Sequence, residues 1–297
     1  MKLDSKAQGF ETAGGTDILD FASGTTGISG ITALYVMGFM CILIAFMLRN
    51  KIRFADIFKF VLLFLPILIG SSRASFLFLP IIVMFMLRGK IFTDVKKGIG
   101  IVLVFFIVYI ALVKSTTYLG YDMEGMLLSP QDEFADQSHF SGYGQPVGRF
   151  ANIMFATYLM KSKADYIFGF GPNSVSISAL GSEYSGKMLK YLLDDDLVQN
   201  ATSFVNSQLA FMMFEWGFLG LGLYFFMIVK IYLMNRKFYI AIDDEYWKTI
   251  SFGFSGIILL YGIASFYKQL WVIEHTSSLF WVMAGIIFSM GRKKEIF

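Results

Sequence analysis

The chain has 297 residues, of which 56% are hydrophobic, 18% aromatic and only 16% charged, and its mean hydropathy is +0.62; that balance excludes a water-soluble domain and defines an integral membrane protein. The 33 Phe and 17 Met with only 5 Pro suit helices packed in lipid rather than β-barrel strands, which would alternate apolar and polar residues. The net charge of +3 comes from basic loops and not from a basic face, so nucleic acid is not an expected partner, and the single Cys41, set in an apolar run, rules out a disulfide framework or a CxxC metal or redox site.

Crossing a bilayer takes about 20 apolar residues as a helix. Runs that meet or approach that length lie at 31–48, 54–69, 74–87, 99–113, 206–234, 252–266 and 271–290. The expected fold is therefore all-α: a polytopic membrane protein of about seven transmembrane helices with one large extracytoplasmic loop. Its parts are an extracytoplasmic tail at 1–30, four transmembrane helices at 31–114, the large loop at 115–205, and three transmembrane helices at 206–297 ending in a cytoplasmic C-terminus. The run from 206 is longer than one straight crossing needs. It is expected to tilt, to start above the lipid, or to break near Gly217, Gly220 and Gly222.

Orientation follows from Lys and Arg, which are retained on the cytoplasmic side. Arg49, Lys51 and Arg53 follow the first run; Arg88, Lys90, Lys96 and Lys97 the third; Arg236, Lys237 and Lys248 the fifth; Arg292, Lys293 and Lys294 the seventh. These alternate loops belong inside. The loop at 115–205 then lies outside, as does the turn at Gly70-Ser71-Ser72-Arg73-Ala74-Ser75. The acidic residues of the long loop, among them Asp122, Glu124, Asp132 and Glu133, agree with translocation. The polar first thirty residues carry no basic n-region, short apolar core or small-residue cleavage site. Either the first span translocates them or further helices precede them.

Structureless connections longer than about 15 residues are usually functional or disordered. Inside the long loop, Phe150, Ile153, Met154, Thr157, Tyr158 and Met160 recur at helical spacing, with Lys161 and Lys163 beyond them, and predict an amphipathic helix at the interface. Gly169-Phe170-Gly171-Pro172-Asn173 ends it with a turn.

Arg73 breaks the charge rule that every other basic cluster obeys. It is either an Arg snorkelling to lipid phosphates or a clamp for a phosphate or diphosphate, to which a planar guanidinium is matched. Arg149 opens the amphipathic segment on the same outer side; it either caps that helix or converges with Arg73 on one anion. Glu215 lies nine residues beyond Asn206 in an apolar helix, a depth expected to be well inside the bilayer, and an intramembrane carboxyl marks either a functional site or a hydrogen bond that holds helices together. Gly217 and Gly220 are expected to let another backbone approach closely. Asp194-Asp195-Asp196 has DxD spacing but reads as a solvated acidic face. Glu274-His275 reads as a proton relay or a local ion pair with Lys268. His139 has no second His near it, so no metal site is expected.

Four stretches together resemble the superfamily of bacterial O-antigen ligases and Wzy-type polysaccharide polymerases: 24–34, Ser72-Arg73-Ala74, the loop run from Gly148-Arg149-Phe150 to Gly169-Phe170-Gly171-Pro172, and Asn206-Ser207-Gln208-Leu209 running to Glu215-Trp216-Gly217-Phe218-Leu219-Gly220. The resemblance covers most of the chain from about Gly24. It implies a metal-independent membrane glycosyltransferase of the bacterial cytoplasmic membrane. Such an enzyme acts in O-antigen, lipopolysaccharide or capsule biosynthesis without a cofactor and polymerises undecaprenyl-diphosphate-linked glycans at the outer face. Its partners would be those glycans, the lipid bilayer, and a flippase and chain-length regulator of the same pathway. By motif position Arg73 and Arg149 grip the diphosphate, with Ser207 and Glu215 as further substrate-binding residues. A histidine often heads the glutamate-glycine helix in the family, where this chain has Asn206. Asn accepts no proton as a general base, which leaves Asn206 to orient a sugar hydroxyl and deprotonation to a loop carboxylate such as Glu183 or to the departing diphosphate. The replacement favours polymerase over ligase. A transporter or flippase using Glu215 and His275, and a non-catalytic partner that sets chain length, are the other readings.

Overall fold

The computed structural model describes residues 29–49, 54–69, 73–93, 110, 114, 157, 160–172, 174, 207–266, 270 and 277–297. Among them the ordered elements are all helices: α1 (Ser29–Arg49), α2 (Phe54–Ile69), α3 (Arg73–Thr93), α4 (Lys163–Phe168), α5 (Gln208–Ala241), α6 (Glu245–Ala264) and α7 (Ser278–Lys293). Three of these, α1, α5 and α6, contain stretches long and apolar enough to cross a membrane. The chain is thus a helical membrane protein. The expected run at 99–113 lies almost wholly outside the described residues, as does most of the amphipathic stretch at 150–160.

In lipid there is no hydrophobic drive to push helices together, so close approach at small residues and buried polar bonds must do it. The first appears between α1, α3 and α6. A Cβ on Gly256 of α6 would stand 2.9 Å from Met86 Sδ and 3.1 Å from Cys41 Sγ, and one on Gly253 would stand 2.7 Å from Ile42 Cδ1. The core that results contains Met37, Met40 and Cys41 of α1, Leu79 and Ile82 of α3, and Phe254, Ile257 and Tyr261 of α6, all buried. Between α5 and α6 the bond is polar. Asn235 Nδ2 donates to Ser251 O and to Ser255 Oγ, each at 2.9 Å, while Ser251 Oγ donates to Asn235 Oδ1 at 2.8 Å. Every group of that amide is matched, which is what makes a buried Asn tolerable.

The basic clusters gather at one end. Arg49, closing α1, pairs with Glu245, which opens α6; Arg88 of α3 donates to Tyr232 OH of α5 at 3.2 Å; and Lys237 Nζ lies 6.0 Å from the ring centroid of Phe297, just beyond α7. Tyr35, early in α1, bonds Ser278 at the start of α7, so these contacts fix the opposite end. Arg236 and Lys237 stand inside α5, which continues to Ala241, and not in a loop after it. A concavity at the basic end, lined by Phe288, Ser289, Arg292, Lys293 and Phe297, presents exposed cations where lipid phosphates attract them.

Helix α5 is broken. Gly217 has φ 60° and ψ −161°, a region essentially closed to residues with a Cβ. Two contacts with α6 require the bend to be sharp. Asn235 meets Ser251, and Leu209 N donates to Ser265 O at 3.2 Å. At 1.5 Å per residue those points are about 39 Å apart along a straight α5 (26 residues) and only about 21 Å apart along α6 (14 residues). The elbow absorbs the difference. A Cβ on Gly220 would run into the Trp216 side chain and stand 3.7 Å from Met212 O, so the neighbours of Gly220 belong to its own helix.

Candidate functional site

The elbow is filled from outside the helix. Lys163–Phe168 is too short to hold a helix by itself, and its start is fixed by a capping box: Ser162 Oγ accepts from Asp165 N at 3.1 Å, and Asp165 Oδ2 accepts from Ser162 N at 2.9 Å. The backbone N–H of Ser162, then its hydroxyl and the N–H of Lys161, hold the Asp165 carboxyl below its ordinary range. Tyr166, Ile167 and Phe168 are exposed, with Lys161 and Lys163 beside them, a composition suited to the lipid interface. The element ends at Gly169, whose φ of 71° and ψ of −166° nearly repeat those of Gly217.

The two glycines face each other. A Cβ on Gly169 would stand 2.6 Å from Gly217 N, Trp216 N and the Glu215 carbonyl carbon, and one on Gly217 would stand 2.6 Å from Gly169 N and Ile167 O. Beyond the contact the turn donates to the helix: Phe170 N to Phe214 O at 2.7 Å and Gly171 N to Glu215 O at 3.1 Å. A non-helical residue interrupts the i→i−4 ladder that would cross it, and the loop supplies donors to the two carbonyls just before the break. Rings close the contact on both sides, Tyr166 stacked on Phe218 with centroids 6.2 Å apart and Phe170 against Phe214 at the same separation.

Glu215 is 4% exposed and sits at this elbow. Asn235 and Gly217 are 18 residues apart, about 27 Å of helix, against about 21 Å from Ser251 to the end of α6. The elbow therefore stands level with the C-terminal end of α6 or past it, and Glu215 lies near that end of the bundle. Its backbone carbonyl accepts from Gly171 N of the docked turn. Ser207 is fully buried and caps α5, its Oγ accepting from Ala210 N at 3.2 Å. Gln208 beside it accepts through Oε1 from Leu270 N at 3.0 Å.

Arg73 is the first residue of α3, and Arg88 of the same helix reaches the basic end, so the backbone of Arg73 stands toward the end where α5 begins. Arg149, Asn206, Glu183, His139, Lys268, Glu274, His275 and the aspartates at 194–196 lie outside the described residues. Of the sequence-based site, the structure brings together Glu215 and the turn at 169–172, with Ser207 at the head of the same helix. Sequence reasoning missed α4 and the Asn235–Ser251 clamp. The signals were Ser162 three residues before Asp165, and an Asn in an apolar helix followed by Ser251 and Ser255 one helical turn apart. Among the described residues no three His, Cys, Asp or Glu side chains are grouped to hold a metal ion.

The chain matches no protein-family model, and neither a curated protein nor a solved structure matches it significantly.

Proposed function

We propose that the chain is an inverting glycosyltransferase of the bacterial cytoplasmic membrane. It polymerises undecaprenyl-diphosphate-linked oligosaccharide units into O-antigen or capsule-like polysaccharide at the outer face. The assignment begins from the sequence resemblance. The structural observation that supports it is the union of the turn at 169–172 with the elbow of α5, which joins the long polar segment to Glu215 at the end of the bundle remote from Arg49, Arg88 and Arg292. Retention of basic residues inside makes that remote end the outer one, and α3 begins there with Arg73.

In the reaction the acceptor sugar oxygen attacks the anomeric carbon of the donor from the face opposite the diphosphate. The new glycosidic C–O bond forms as the bond to the lipid diphosphate breaks, with inversion. The hydroxyl proton passes to a loop carboxylate such as Glu183 or to the departing diphosphate. Arg73 and Arg149 stabilise the charge that develops on the leaving group, as fixed donors do at an oxyanion. Asn206 orients the acceptor, and Ser207 and Glu215 belong to the substrate-binding end of α5. An elbow level with the helix ends favours this reading over a transporter, which needs its coupling carboxyl near mid-depth.

The test is purified protein in liposomes supplied with a lipid-diphosphate-linked oligosaccharide. Chain extension is expected, falling about 100- to 1,000-fold in Arg73→Ala and in Arg149→Ala. No extension by the unaltered protein, or full activity in both variants, would reject the assignment.

A further inference from the structure

We propose that residues 160–172 form a strap that holds α5 broken at Gly217, and that α5 closes into a continuous helix when the strap leaves. The inference does not depend on the reaction proposed above.

Three observations carry it. First, the broken state is sustained from outside. The carbonyls of Phe214 and Glu215 receive Phe170 N and Gly171 N, and with both residues buried those oxygens cannot be left without donors. If the strap departs, the nearest replacement donors are the amides of Phe218 and Leu219, four residues on, and accepting them restores the ladder. Two loop bonds are exchanged for two helical bonds, so neither state is far above the other in hydrogen-bond count. Second, the contact tolerates no side chain on either partner. Gly169 and Gly217 hold backbone conformations that only glycine readily adopts, and each would drive a Cβ to 2.6 Å from the other's nitrogen. Gly217 is equally free to take helical angles, whereas in the broken state it has no substitute. Third, the strap's helix is short, six residues of which none is buried, held by one capping box, by Tyr166 OH donating to Thr157 O at 3.1 Å and by the stacking of Tyr166 on Phe218, with Ile167 and Phe168 exposed. Segments with few buried contacts open locally at low cost.

Closing α5 changes geometry at a definite place. Its first half, 208–216, is tied to the end of α6 through Leu209 N and Ser265 O, and its second half to Ser251 through Asn235. A continuous helix cannot satisfy both at the present separation. Closure must therefore release one of them or move α6, and it carries Glu215 away from the turn in either case.

Two readouts on the full chain in membranes test this. A Tyr166→Cys/Phe218→Cys pair reports strap docking by disulfide formation, and spin labels at Met212 and Leu223 report the elbow. In a continuous helix the label positions stand about 16 Å apart along the axis. Gly169→Ala, which leaves the sequence of α5 untouched, is expected to abolish the disulfide and shift the distance to that of the continuous helix. Gly217→Ala should do the same. Gly222→Ala, where a Cβ meets nothing within 4 Å, should change neither. If Gly169→Ala loses the disulfide but keeps the original distance, the strap is a passive contact and the proposal fails. It fails equally if the disulfide forms as readily in Gly169→Ala as in Gly222→Ala.

Discussion

Gly169 and Gly217 adopt almost the same unusual backbone conformation, φ/ψ of 71°/−166° and 60°/−161°, and meet backbone to backbone although 48 residues separate them. Each is required by the other, because a methyl on either would enter the partner's peptide. Alanine at one position should destabilise the protein by about 1–3 kcal/mol. The double variant should cost clearly less than the sum, since the contact is already lost after the first change. Thermal unfolding in detergent of the two single variants and the double variant measures the coupling; strict additivity would mean the glycines act separately.

Asn235 is the main polar tie between α5 and α6. Replacing it with Ala removes its three side-chain bonds with Ser251 and Ser255, and intramembrane bonds of this kind are worth about 0.6 kcal/mol on average and about 1.7 at most. A loss of about 1–2 kcal/mol is expected for the set. Ser255→Ala, which removes only one of those bonds, should cost less than Asn235→Ala in the same unfolding measurement.

Arg49 and Glu245 are paired at the basic end, with Glu245 largely exposed. Pairs of that kind contribute about 0–1 kcal/mol. Arg49→Ala should therefore leave thermal stability nearly unchanged, and any effect should shrink in high salt. A drop of several degrees that persists in high salt would show that Arg49 packs more than it pairs.

Asp165 gives the strap a defined acid response. Its carboxyl is held below the ordinary carboxylate range, first by Ser162 N. A depressed folded-state pKa contributes stability that is fully present above the unfolded value and is lost as pH falls through the lower folded value. Protection of the amides of Ser162 and Lys161 against hydrogen exchange should therefore hold from neutral pH through mild acid and fall only below the ordinary carboxylate range. Asp165→Asn should lose that pH dependence, and protection already declining near pH 6 would contradict the assignment.

The helices were legible because hydropathy in lipid acts locally: α2 is found at Phe54–Ile69, where the apolar run predicted it, and α1 and α3 lie close to their runs. The break in α5 was legible too, as one of three ways to fit an overlong run, because glycine is cheap to bend. What occupies the break was not. The match between Gly169 and Gly217 is a backbone contact between distant segments, and a single sequence carries no pattern for it. The place of Glu215 in the bundle was not legible for a related reason: counting residues from Asn206 assumes a straight helix, and the elbow folds the count back on itself. Helices α5 and α6 also extend past their apolar runs, since Arg236, Lys237, Tyr246 and Trp247 are helical. Helical bonding there outlasts hydrophobicity.

A shared diphosphate site requires one face of the membrane to carry Arg73, Arg149 and the strap, and the other to carry the basic helix ends. Single cysteines at Arg73, Arg149, Lys163, Lys248 and Arg292, labelled in intact and in permeabilised cells with a membrane-impermeant thiol reagent, test this most directly. Positions 73, 149 and 163 should react in intact cells, and 248 and 292 only after permeabilisation. Labelling of 73 and 149 from opposite sides would contradict the account, because the two guanidinium groups could then never hold one diphosphate.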